Sequence, residues 1–142
     1  MKQHQSFVGF SSWKISDQTF SNGDLIEFVG VRYNDDGHYF PELNSFYCPT
    51  TGLYYVTVNF GHFSVSNKEL YLGVTQNSLT VLHSSHPDAY INVFSNSRLL
   101  RCQQHDTLMV RGTGDGHVDG NSFPYTTFSV MLIHDEGEFL FC

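Results

Sequence analysis

Positive charge is scarce in this chain: Lys and Arg number 7 against 14 Asp and Glu, a formal net charge of −7 with neutral histidines. Tracking a phosphate backbone needs the opposite balance, so nucleic acid is not an expected partner. The same acidity opposes adhesion to anionic lipid unless a divalent cation bridges the two surfaces. No segment reaches the roughly 18–20 apolar residues that span a bilayer, so membrane insertion is not expected. Met1 to Phe10 lacks the basic start and apolar run of an export leader. The three cysteines, Cys48, Cys102 and Cys142, stand at no metal-ligand spacing, and an odd number leaves at least one thiol free or available to another chain. Cys142 is the best placed for that role. There is no collagen-like Gly-X-Y run, so any stalk lies outside this chain. Also missing are a Gly-x-Ser-x-Gly elbow, a His-Glu-x-x-His helix and a glycine-rich phosphate loop. His83-Ser84-Ser85-His86-Pro87-Asp88 has the residue types of a metal pair or a hydrolytic triad, but on a Ser/Pro loop without a third ligand or an oxyanion motif. No enzyme is expected.

What the chain does have is alternation. With 142 residues, 40% hydrophobic, it supports one core, and residues 1–142 are read as a single domain with its core between about 7 and 135. Apolar residues recur with period two in short runs cut by Gly, Asn, Asp and Ser, which predicts strands joined by tight turns. In Leu53 to Phe60, Tyr54, Val56, Val58 and Phe60 share one face, which is assigned to the core. Phe128 to Ile133 is apolar on both faces, which predicts a central or subunit-contact strand and the most buried segment of the chain. Further strands are predicted at Phe7 to Trp13, Leu25 to Tyr33, Phe46 to Cys48, Leu70 to Val74, Thr80 to Leu82, Tyr90 to Phe94, Ser97 to Cys102 and Thr107 to Arg111. Asn22-Gly23, Asn34-Asp35-Asp36-Gly37, Thr51-Gly52 and the long Gly112 to Asn121 stretch supply the turns. About ten short strands favour two stacked sheets over one open sheet with long exposed edges.

Phe28, Asn34, Tyr39, Phe46, Gly52 and Tyr54 are separated by five, four, six, five and one intervening residues. This spacing resembles the signature of the C1q globular-head family, within the C1q/TNF superfamily. Phe46-Tyr47-Cys48-Pro49-Thr50-Thr51-Gly52-Leu53-Tyr54-Tyr55 is similar to that family's F-x-C-P-x-x-G-x-Y-Y segment, and Thr127 to Ile133 to its closing strand. Leu99 to Val110 resembles its V-L-x-L-x-x-G-D-x-V-W-V strand pair, except that His105 replaces the turn glycine. That departure predicts either a rebuilt corner or a histidine with positive φ. Val56 and Val58 stand where the signature prefers aromatics, and Val130 and Met131 where the closing strand has Gly and Phe. The resemblance implies an all-β, ten-stranded jelly-roll sandwich that assembles as a trimer. Aromatic content of 15% independently exceeds what one small core readily hides, so some of it is expected at an interface.

Two loops carry candidate chemistry. Gly114 to Asn121 places Asp115, Asp119 and Asn121 where the resemblance implies calcium near a trimer axis; the same composition also makes an ordinary Gly/Asp solvent turn. Asp35, Asp36 and His38 form a second polar cluster, either a ligand-contact loop or a four-residue turn with Gly37 supplying positive φ. The resemblance, closest to stand-alone invertebrate C1q-domain proteins, implies a secreted pattern-recognition module of innate immunity. As a homotrimer it would bind glycans, lipopolysaccharide or proteins on microbial or host surfaces, lectin-like and with calcium as the possible cofactor. The competing reading is the trimerising head of an extracellular matrix or signalling protein that binds a protein partner.

Overall fold

A computed structural model describes residues 7–63, 70–77, 79–86, 91–113, 116–118, 120 and 126–137. Its elements are β1 (Gly9–Trp13), β2 (Gln18–Phe20), β3 (Gly30–Tyr33), β4 (Tyr39–Phe40), β5 (Ser45–Tyr47), β6 (Gly52–Phe63), β7 (Leu70–Gln76), β8 (Leu79–His86), β9 (Ile91–Cys102), β10 (Thr107–Thr113), β11 (Gly116–Val118) and β12 (Thr127–Asp135). They form two five-stranded sheets, ordered β3-β1-β12-β6-β9 and β4-β5-β10-β7-β8, with β11 and β2 as a separate pair. The named ladders are antiparallel, and β12 lies at the centre of the first sheet, between β1 and β6. The expected all-β jelly-roll sandwich is therefore the observed architecture.

The core between the sheets is aromatic. Phe10 stacks on Tyr39 with centroids 4.1 Å apart and rings 7° from parallel. Phe46 and Phe128 close on Phe10 at 5.1 Å each, one stacked and the other edge-on. Offset and edge contacts of this kind satisfy the ring quadrupoles while burying large area. On β6, Tyr54, Val56 and Val58 point inward and are buried, while Leu53, Tyr55, Thr57 and Asn59 on the opposite face are half-buried, as the alternation predicts.

Each signature position has a physical task. Asn34 forms a clamp on the backbone of Tyr39, its amide donating to the carbonyl at 2.9 Å and its oxygen accepting from the N–H at 3.2 Å. The buried Tyr39 hydroxyl donates to the Phe28 carbonyl at 2.6 Å, and burial holds its pKa above the ordinary tyrosine value. Tyr54 donates to the Thr50 carbonyl at 2.5 Å. Gly52 lies so close to β12 that an added Cβ would sit 2.4 Å from the His134 carbonyl oxygen.

Several boundaries differ from the sequence reading. Leu25 to Tyr33 is not one strand: only Gly30–Tyr33 joins a sheet, and Leu25 makes an isolated bridge to Arg111. Side chains take the intervening donors, Gln18 Oε1 accepting from the Glu27 N–H at 2.9 Å and Asn44 Oδ1 from the Phe28 N–H at 3.0 Å. The two strands expected from Tyr90 to Cys102 are one, β9, paired along the whole of β6. His83 to His86 belongs to β8 and not to a loop, because the chain there stays in register with β7. Part of the expected turn at Gly112 to Asn121 is strand, since Gly116–Val118 pairs with β2 and buries Val118 in the core.

Phe128 to Ile133 is central, as expected, but not the most buried segment. Phe128 and Val130 are buried, whereas Met131 and Ile133 are exposed and the register shifts between Leu132 and His134. Alternation puts Ile133 on the same outer side as Met131, and the bulge leaves it without a register partner on β6.

Lys14, one residue beyond β1, is 1% exposed. Its ammonium donates to Gln18 Oε1 at 2.5 Å and to the Glu27 carbonyl at 3.1 Å. Burial lowers its pKa from 10.5 to about 8, against a smaller upward pull from the charges of Glu27 and Asp17. That fall corresponds to about 3 kcal/mol disfavouring the charged form. Between pH 8 and 10.5 the unfolded chain holds the proton that the folded chain has released, so stability from this group rises with pH across that window. Below pH 8 the full penalty stands. Lys14→Met is therefore expected to match or exceed the parent in stability at pH 7 and to lose the rise above pH 8. Urea melts of both proteins at pH 7, 8, 9 and 10 read the difference directly; parallel curves would contradict it.

Candidate binding surface

The outward face of the first sheet is built by register. Gly9, Met131, Tyr55 and Leu99 stand side by side across β1, β12, β6 and β9, and the next row is Ser11, Ser129, Thr57 and Ser97. Period-two alternation sends these side chains away from the core. Leu99 is 54% exposed and Met131 39%. The hydroxyl row is partly self-satisfied, Ser129 Oγ donating to Ser11 Oγ at 3.1 Å. Asn59 Nδ2 likewise donates to Thr127 Oγ1 at 2.8 Å.

At the β1 side of this face lies a predominantly apolar groove of about 530 Å³, lined by Phe7, Tyr33, Tyr55, Thr57, Ser129 and Met131. Phe7 and Tyr33 form its outer wall, meeting edge-on at 5.1 Å. Among the described residues, no cation and no carboxylate lines it. Such a surface suits apolar side chains or a flat complementary protein face.

The polar cluster at Asp35, Asp36 and His38 adjoins Tyr33. Asn34 to Gly37 is a tight turn, Gly37 at φ 69° donating its N–H to the Asn34 carbonyl at 3.0 Å. Asp35 and Asp36 are exposed and His38 is half-buried. Asp35 Oδ2 accepts from the Tyr33 hydroxyl at 2.9 Å, a bond that raises the Tyr33 pKa. The His38 carbonyl accepts from the Tyr47 N–H at 3.0 Å. Thus the structure brings Asp35 to Tyr33, and among the described residues no three His, Cys, Asp or Glu converge as metal ligands. Asp115, Asp119 and Asn121 lie outside the described residues. Their neighbour Gly120 donates its N–H to Asp17 Oδ1 at 2.9 Å.

Sequence reasoning placed Phe128 to Ile133 in a central or subunit-contact strand without saying which of its faces is outward. Periodicity puts Tyr55 on the face of β6 away from the core but leaves Met131 on either side of an all-apolar strand, and the register sets the two opposite one another on the outer face. The other sheet's outer face carries a smaller aromatic pair, Phe40 and Tyr47, edge-on at 5.2 Å.

Two stacked antiparallel sheets around a packed aromatic core make a jelly roll whose candidate sites lie on a sheet face and a turn. The C1q domain model matches residues 9–133, and the chain belongs to the C1q domain family. Members of this family are characteristically extracellular binding modules without catalytic activity, and C1q/TNF domains form trimers. Among solved structures, the globular domain of zebrafish complement 1qA is similar at 17% identity and TM-score 0.68, over 92% of this chain and 100% of that one. Eiger TNF from S. frugiperda aligns at 16% identity and TM-score 0.72, over 92% and 95%. Murine APRIL aligns at 10% identity and TM-score 0.70, over 90% and 100%. No curated protein matches. Among the described residues, no helix is long and apolar enough to cross a membrane.

Proposed function

We propose that this chain is a secreted recognition head that assembles as a homotrimer through the outward face of the first sheet and binds surface glycans, lipopolysaccharide or proteins in innate immunity, without catalysing a reaction. The observation that carries the assembly is the row Met131, Tyr55 and Leu99 beside an apolar groove on an otherwise intact sheet. An apolar face of this kind is normally covered, and family membership makes a copy of the chain its natural cover. Recognition then falls to surfaces a trimer leaves free, and the turn carrying Asp35, Asp36 and His38 is the polar candidate. Three weak sites on one trimer gain avidity on a repetitive surface. Calcium at Asp115, Asp119 and Asn121 is part of the same proposal.

The test is light scattering to fix the assembly, followed by binding to immobilised glycans and bacterial lipids with and without a chelator. A trimer with sugar-competable binding supports the proposal, and loss of binding on chelation supports its calcium part. A trimer that binds no glycan or lipid in either condition points instead to a protein partner. A monomer at high concentration contradicts the assembly.

A further inference from the structure

Cys48 and Cys102 are 54 positions apart in sequence and meet in the core. Cys48 follows β5 in the second sheet, and Cys102 is the last residue of β9 in the first. Two backbone bonds bring the segments together: Cys48 N–H donates to the Asp106 carbonyl at 2.8 Å, and His105 N–H donates to the Cys48 carbonyl at 2.8 Å. The turn that begins after Cys102 is thereby fastened to Cys48, and Cys102 itself pairs with Gly52 at the start of β6. Both thiols are free and buried in the same core cluster, and the neighbouring Cys102 is the largest influence raising the Cys48 pKa.

We propose that Cys48 and Cys102 form one modification site, an intrachain disulfide that fastens the two sheets and is made while the chain folds. The oxidant is a low-molecular-weight disulfide. One cysteine thiolate attacks it and releases one small thiolate, leaving a mixed disulfide. The second thiolate then attacks the protein sulfur of that intermediate and expels the second small thiolate. The protein loses two electrons and two protons, and the external disulfide gains the electrons. Timing follows from burial. In the folded sandwich an external disulfide has no path to either sulfur, and contact with Cys102 together with burial pushes the Cys48 thiol well above its ordinary pKa, so the attacking thiolate is scarce. Once the chain has folded with both thiols reduced, closure is therefore slow.

The experiment refolds the full chain from denaturant in a glutathione redox buffer or in excess reductant, alkylates remaining thiols under denaturing conditions and maps peptides by mass. The oxidised sample is expected to yield a peptide pair linked through Cys48 and Cys102, with Cys142 alkylated. Its Tm should exceed that of the reduced sample by about 10 °C, since the link closes a long loop. Adding the same redox buffer to protein already folded with reduced thiols should form the link at least tenfold more slowly. The Cys48→Ala/Cys102→Ala variant should show no redox-dependent Tm. Finding Cys48 and Cys102 alkylated after oxidative refolding, or either linked to Cys142, would overturn the proposal, and this mapping requires no variant to fold. Equal closure rates in folded and refolding protein would overturn the timing.

Discussion

Phe128→Ala is expected to cost about 4 kcal/mol of folding free energy. Phe128 is fully buried on the central strand of the first sheet. Its ring meets Phe10 edge-on at 5.1 Å, Phe28 at 5.7 Å and Tyr39 edge-on at 6.3 Å. Those three contacts come from β1, the segment before β3, and β4, so one truncation opens a cavity facing both sheets. Core truncations cost more when the surroundings cannot collapse, and rings fixed by hydrogen bonds collapse poorly. Tyr39 is fixed in that way, its hydroxyl held by the Phe28 carbonyl. A domain of this size has only about 5–15 kcal/mol to lose. Urea melts followed by the single Trp13, at fixed chain concentration because assembly contributes to apparent stability, measure the loss. Phe128→Leu keeps most of the volume and should cost less than half as much. A loss below 1 kcal/mol for the alanine variant would show that the aromatic cluster is not the centre of the core.

This cluster is also the part most legible in the sequence. Phe28, Tyr39, Phe46 and Tyr54 are core residues, Asn34 is the clamp that presents Tyr39, and Gly52 is the close approach to β12. Their spacing is readable because each depends on local backbone geometry as well as on side-chain type. His105 is a similar case. It occupies positive φ at 76°, one of the two alternatives its substitution for glycine raised. The turn tolerates it because Asp106 binds its neighbours: Oδ2 accepts from the Gln103 N–H at 2.9 Å and from Gln76 Nε2 at 2.8 Å, and Oδ1 from Asn77 Nδ2 at 2.8 Å. Desolvation raises the Asp106 pKa, but these three bonds outweigh it and the net shift is downward.

What the sequence hid was set by partners distant along the chain. β2 and β11 have no pattern of their own and exist because Gly116 to Val118 meets Phe20 to Gln18. Gly112 makes room there for the Phe20 ring, which would lie 2.2 Å from an added Cβ. The long register of β6 with β9 likewise carries strand structure through Ser95-Asn96-Ser97, residues that read locally as a break. The candidate face was half-legible for the same reason: Tyr55 fell on the side of β6 away from the core, but Phe128 to Ile133 read as a central or subunit-contact strand with no side assigned. Period two says which residues share a side of a strand, not which side meets the core in a sheet whose β12 is apolar on both.

That ambiguity makes the last substitution decisive. Met131→Arg places a guanidinium in the middle of the outward row, between Gly9 on β1 and Tyr55 on β6. Within one chain the change should be almost neutral, because Met131 is exposed and the sandwich core lies on the opposite side of the sheet. In a trimer formed through this face, each copy would bury an arginine against an apolar groove with no carboxylate among the described residues of its lining. An unpaired buried charge costs several kcal/mol, so three of them should weaken association by at least about 10³-fold. Arginine at Tyr47, exposed on the second sheet, adds the same charge away from the proposed interface and should leave assembly intact. Sedimentation at micromolar concentration, with circular dichroism as the check on folding, separates the two outcomes. The expected pattern is a folded Met131→Arg monomer, a Tyr47→Arg trimer, and multivalent surface binding retained only by the trimer. If Met131→Arg stays trimeric, the groove and its apolar row face solvent in the assembly, and the interface belongs elsewhere on the sandwich.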